Sequence, residues 1–121
     1  PMGPIGWLQA IARSDQGEAL DRAAALSLAA DRPEIVRGAL EAEDHALREL
    51  AALLLNVASG RVAGCTPLDD GGHVAVVLDR LDRLLAAVRQ GEAVAADELA
   101  AAAAAARIVN RGEGLPPDCR G

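Results

Sequence analysis

The stretch 73-HVAVVLDRLDRLLAAVRQ-90 decides the fold. Val74, Val77, Leu81, Leu84 and Val88 recur at a 3-4-3-4 spacing, the ladder of a helix with one apolar side suited to packing against another helix. Asp79 and Arg83 stand four apart on its polar side, where opposite charges support a helix. Gly91 breaks the pattern. The spacing predicts a helix ending at Gln90, with two readings of its start. Thr66, Pro67 and Asp69 have the order of an N-cap, an N1 proline and a capping-box acid, which starts the helix at Pro67 and carries it through Gly71-Gly72. The alternative is a clean start near His73.

The flanking segments follow the same logic. From Val94 to Asn110 an alanine run, 100–106, has acids Asp97 and Glu98 at its start and Arg107 and Arg111 at its end. That order complements a helix dipole at both ends. Leu99, Ala103, Ala106 and either Ile108 or Val109 supply its apolar side. Upstream, Leu47, Leu50, Leu54 and Val57, with Leu53 beside them, predict a helix over 43–58 that Ser59-Gly60 ends. Leu20, Ala24 and Leu28, widened by Ala23 and Leu26, predict a helix over 18–30. Asp31 is expected to cap a short helix that begins at Pro33 and holds Ile35, Val36, Ala39 and Leu40. Ile5, Leu8 and Ile11, with Trp7, predict a further short helix over 4–13.

Composition agrees with this reading. The chain of 121 residues has no Phe, Tyr or Lys, and about a quarter of it is Ala. Ala is the best helix former, whereas strands favour aromatic and β-branched residues. The expected fold is therefore all-α: a single-domain bundle of five or six helices, mostly antiparallel, over residues 1–111, with a flexible Gly/Pro-rich tail over 112–121. The last three helices are expected to form the main bundle and the shorter ones to cover one side.

Charge excludes several functions. A net charge of -6 opposes phosphate neutralisation, so no nucleic acid is expected as partner. It opposes an anionic membrane surface too, and charges interrupt every apolar run before it reaches the length of a membrane span. The apolar stretch Gly3 to Ala12 lacks a basic leader and a cleavage site. Two cysteines, Cys65 and Cys119, are too few for a disulfide framework, although a bridge between them stays open. These features predict a bacterial-type cytoplasm with reduced thiols; the all-Arg cationic set fits a GC-rich genome.

Each candidate for chemistry has a plainer structural explanation. Cys65, Asp69, Asp70 and His73 lie close in sequence, but without the Cys-x-x-Cys or His-x-x-x-His spacing of converging metal ligands. Cys119 has an Arg beside it and no base partner that can be placed. Glu41, Glu43, Asp44, Asp79 and Asp82 each have an arginine nearby, and solvated salt-bridged faces account for them. No catalytic residue, cofactor or metal is assigned. Trp7, the single aromatic residue, suits either a core or a partner anchor.

Two resemblances are partial. His45-Ala46-Leu47-Arg48 resembles the phospho-accepting box of histidine-kinase dimerisation helices, which implies phosphotransfer through an exposed imidazole oriented by Asp44 or Glu49. The Pro or Gly landmarks that follow that box are missing here, and a surface histidine in a first helical turn is the plainer reading. The echo of Gln16-Gly17-Glu18-Ala19 in Gln90-Gly91-Glu92-Ala93 resembles helix-pair repeats of the HEAT type, which implies a short repeat adaptor. The expected function is a non-catalytic protein-interaction or regulatory subunit. Its expected contacts are Trp7, Val74, Val77, Leu81, Leu84 and Val88, engaging a protein partner or a second copy as a homodimer. The alternatives are a phosphorelay or small enzyme component using His45 or the Cys65/His73 region, and the repeat adaptor.

Overall fold

In the computed structural model, residues 18–59, 62 and 72–112 are described. They form five helices and no extended strand: α1 Glu18–Ala25, α2 Pro33–Leu40, α3 His45–Ala58, α4 Val74–Arg89 and α5 Ala96–Asn110. The expected helix over 4–13, Trp7, both cysteines and most of the tail lie outside the described residues, as does the Pro67 start. The described helix starts at Val74, with His73 in an extended N-cap conformation.

The bundle is built around α3, which packs against each of the other four helices. Every residue from Glu49 to Asn56 is buried, and the run 50–55 between these two polar residues is apolar on all sides of the helix, the pattern of a central helix. Its start is set by Asp44, whose carboxylate accepts the Leu47 N–H at 3.2 Å. The short helices α1 and α2 contact α3 and each other, and α4 and α5 close the other side.

Two local expectations are corrected. The first concerns α1, which stops at Ala25 instead of continuing to Ala30. Leu26 and Leu28, expected on its apolar face, are 48% and 63% exposed. The cause is tertiary: a carboxylate on α4 takes the backbone amides that a longer helix would have used, as described below. The second concerns the cap of α2. Arg32 occupies the N-cap position with no side-chain hydrogen bond, while Asp31 accepts from Arg89 Nη1 at 3.2 Å.

The end of α4 is a Schellman motif. The Glu92 N–H donates to the Ala87 carbonyl at 2.9 Å and the Gly91 N–H to that of Val88 at 3.0 Å. Gly91 itself adopts φ +84°, the left-handed conformation this motif requires and glycine reaches most easily. Residues 90–95 then connect α4 to α5.

Candidate functional site

On α4 the side facing the core is rotated from the expected ladder. Val74, Leu78, Leu81, Asp82, Leu85 and Ala86 are buried. Of the residues expected to meet a partner, Val74 and Leu81 have no exposed surface and belong to the chain's own core. Val77 and Leu84 are half-buried against that core, and Val88 is 46% exposed. Two large apolar side chains outside the expected set, Val76 on α4 and Ile108 on α5, are 59% and 49% exposed. With Val88, Leu26 and Leu28 they give the described surface five large apolar groups in water.

Leu26 and Leu28 are held outward by a clamp. Asp82 is buried, not part of a solvated salt-bridged face. Its Oδ1 accepts the Ser27 hydroxyl and the Ala29 N–H at 3.1 Å, and its Oδ2 accepts the Leu28 N–H at 2.8 Å. The Ser27 Oγ in turn accepts the Ala30 N–H at 2.8 Å. Arg89, two turns further along α4, donates to the Ala29 carbonyl at 2.9 Å. Backbone groups on both sides of Leu28 are thereby fixed to one helix, with the leucine side chain outside.

A second buried polar group joins α3 to α5. The Asn110 amide donates to the Glu49 carbonyl at 3.0 Å and to Glu49 Oε1 at 2.9 Å. Its own oxygen accepts from Asn56 Nδ2 at 2.8 Å. The other Glu49 oxygen, Oε2, lies 3.7 Å from Nδ1 of His45, whose side chain is 48% exposed. So Glu49, not Asp44, faces this imidazole; Asp44 is occupied as the cap of α3.

The α4–α5 junction forms an open groove of about 110 Å³ lined by Gly72 and the N-cap His73, by Val76, Val77 and Arg80 of α4 and by Ala102 and Ala105 of α5. It is mostly apolar, with His73 and Arg80 as its titratable groups. Among the described residues, no three His, Cys, Asp or Glu side chains converge as metal ligands. The fold and this surface define an all-α bundle with a polar-pinned interior and apolar groups on its outside. No family model matches the chain, and no curated protein or solved structure matches it either.

Sequence reasoning missed Ser27, Asn56 and Asn110 and took Asp82 for part of a solvated face, whereas it is buried. The sequence held a signal for the burial of Asp82 and Asn110. Asp82 stands four residues after Leu78 and three before Leu85, and Asn110 four after Ala106. Polar residues at those places sit on the apolar side of their helices.

Proposed function

We propose that this chain is a non-catalytic helical interaction subunit of a bacterial-type cytoplasm, acting through apolar side chains held on its outside. The observation that carries this reading is the outward display of Leu28, Val76 and Val88, each 46% or more exposed. Leu28 matters most, because the Asp82 clamp fixes the backbone around it. A pre-ordered apolar knob loses little freedom on docking, which favours affinity. Among the described residues the buried polar side chains are all hydrogen-bonded, to one another or to backbone groups.

The test is capture of partners on the tagged chain, quantified by mass spectrometry, with wild type beside a Leu28→Ser/Val76→Ser/Val88→Ser variant. A protein recovered in fixed ratio with wild type and lost from the folded variant supports the reading. Equal recovery on both contradicts it.

One specific observation favours a second reading, phosphotransfer at His45. Its Nδ1 lies 3.7 Å from a buried carboxylate that Asn110 holds in place, and the histidine side chain is 48% exposed. In such a step Nε2 would form the N–P bond while the carboxylate of an acyl phosphate leaves. Incubation with acetyl phosphate should then give an acid-labile phosphate on wild type and none on His45→Gln. An unlabelled wild type ends this reading.

A further inference from the structure

We propose that the groove between α4 and α5 seats an acidic amphipathic helix of a partner protein, with one aliphatic side chain in the groove and carboxylates two turns apart on His73 and Arg80. This rests on the interaction reading and names the chemistry of the partner at one part of the surface.

The argument starts from an arginine that nothing engages. Three arginines lie on α4. Arg83 is held by Asp79 at 2.9 Å, and Arg89 by Asp31 at 3.2 Å. Arg80 is exposed and, among the described residues, has no hydrogen-bond or ion-pair partner. Asp82, close to it in sequence, is buried and engaged by the loop after α1. Glu98, one turn before Ala102 on α5, makes no ion pair with it. His73, at the other end of the groove, is exposed and makes no side-chain cap bond. Val76 and Val77 stand between the two, across from Ala102 and Ala105, and none of the seven residues lining the groove is acidic.

Charge complementarity selects the occupant. A guanidinium binds a carboxylate through two parallel hydrogen bonds. An imidazole has an N–H to donate in either protonation state. His73 and Arg80 are seven residues apart, about 10 Å at the α-helical rise of 1.5 Å per residue. Acids at positions i and i+7 of a docked helix repeat that separation. Its side chains at i+3 and i+4 then fall level with Val76 and Val77, the anchor spacing of helices that dock in apolar grooves. A chain of net charge -6 repels an acidic segment on average. Binding therefore depends on these two donors and is lost with them.

Size limits the anchor. The groove holds about 110 Å³, less than the roughly 150 Å³ cavity that takes a benzene. It accepts one leucine or valine side chain. A fatty carboxylate fits less well: its single head group meets one donor of the two, and the open groove leaves its tail in water.

The experiment is fluorescence anisotropy with three short helical peptides on wild type and Arg80→Glu, with circular dichroism as the check that both are folded. The first peptide has Glu at i and i+7 and Leu at i+3 and i+4. The second has Lys in place of both Glu, and the third Ser in place of both Leu. Wild type should bind the first roughly tenfold or more tighter than the other two, and less tightly as salt rises. Arg80→Glu should lose roughly tenfold or more of that affinity and gain affinity for the Lys peptide. The proposal is overturned if wild type does not bind the Glu peptide, binds the Lys peptide equally, or is matched by Arg80→Glu. Binding of octanoate without binding of the Glu peptide overturns the helix as occupant. The reading under Proposed function fails separately, on equal partner recovery by the Leu28/Val76/Val88 variant. A partner lost from that variant yet kept by Arg80→Glu overturns the groove assignment alone.

Discussion

The carboxylate of Asp82 accepts the hydroxyl of Ser27 across 55 positions of sequence. Together with the Leu28 and Ala29 N–H groups that the same carboxylate accepts, this bond fixes the segment that follows α1 to α4. Among the described residues no cation pairs with Asp82; its charge is met by the Ser27 hydroxyl and two backbone N–H groups. Such charge-assisted bonds are roughly twice as strong as neutral ones. Removing the acceptor also leaves the donors without partners.

Asp82→Ala should therefore lower the free energy of unfolding by about 3 kcal/mol, since each stranded buried donor costs about 1–3 kcal/mol. Asp82→Asn keeps one acceptor oxygen and should cost about half as much on the same grounds. Urea unfolding followed by circular dichroism checks both. Equal stability of wild type and Asp82→Ala would remove the clamp from the account.

The Asn56–Asn110 pair should behave as a coupled unit. Asn110→Ala removes contacts to Asn56 and to Glu49 together and leaves a buried carboxylate oxygen without its donor, for a loss of about 2–3 kcal/mol. The double-mutant cycle of Asn56→Ala and Asn110→Ala should show a coupling of about 1 kcal/mol, within the range for residues sharing one network. A sum that is purely additive would mean the two amides act independently.

Glycine substitutions should move stability in opposite directions at two positions. At Gly38, inside α2, an added methyl would meet no atom within 4 Å. Gly38→Ala should stabilise by about 0.5–1 kcal/mol, the usual helix-interior difference. At Gly91 space is equally free, but the φ of +84° strains any L side chain. Gly91→Ala should cost about 1 kcal/mol, the penalty for left-handed backbone. Thermal unfolding of the two variants, side by side, measures both signs.

The helical character of α3, α4 and α5 is written in their sequence, because leucine and valine spacing and end charges report helical periodicity directly. Which side of α4 faces inward was less legible. The ladder Val74, Val77, Leu81, Leu84, Val88 and the set Val74, Leu78, Leu81, Leu85 are both apolar at helical spacing. Only tertiary contact with α3 and α5 chooses between them. The early end of α1 was not legible at all: Leu26 and Leu28 continue a good apolar face, and what stops the helix is an acid 55 residues away. Asp82 itself looked like one more surface charge because Arg80 and Arg83 flank it in sequence, yet on a helix those neighbours point elsewhere. The central position of α3 was carried by the unbroken apolar run 50–55, which a search for one-sided ladders passes over.

The account divides the apolar side chains into those that hold the fold and those that hold a partner. Core truncations such as Leu54→Ala should cost about 2–5 kcal/mol. Exposed changes should leave stability within about 0.5 kcal/mol of wild type. The most direct measurement is made on the Leu28→Ser/Val76→Ser/Val88→Ser variant: its unfolding free energy together with its affinity for the partner that wild type captures. The account predicts a stability near that of wild type and a dissociation constant raised at least tenfold, about 1.4 kcal/mol of binding energy. An unchanged affinity in a folded variant would contradict it.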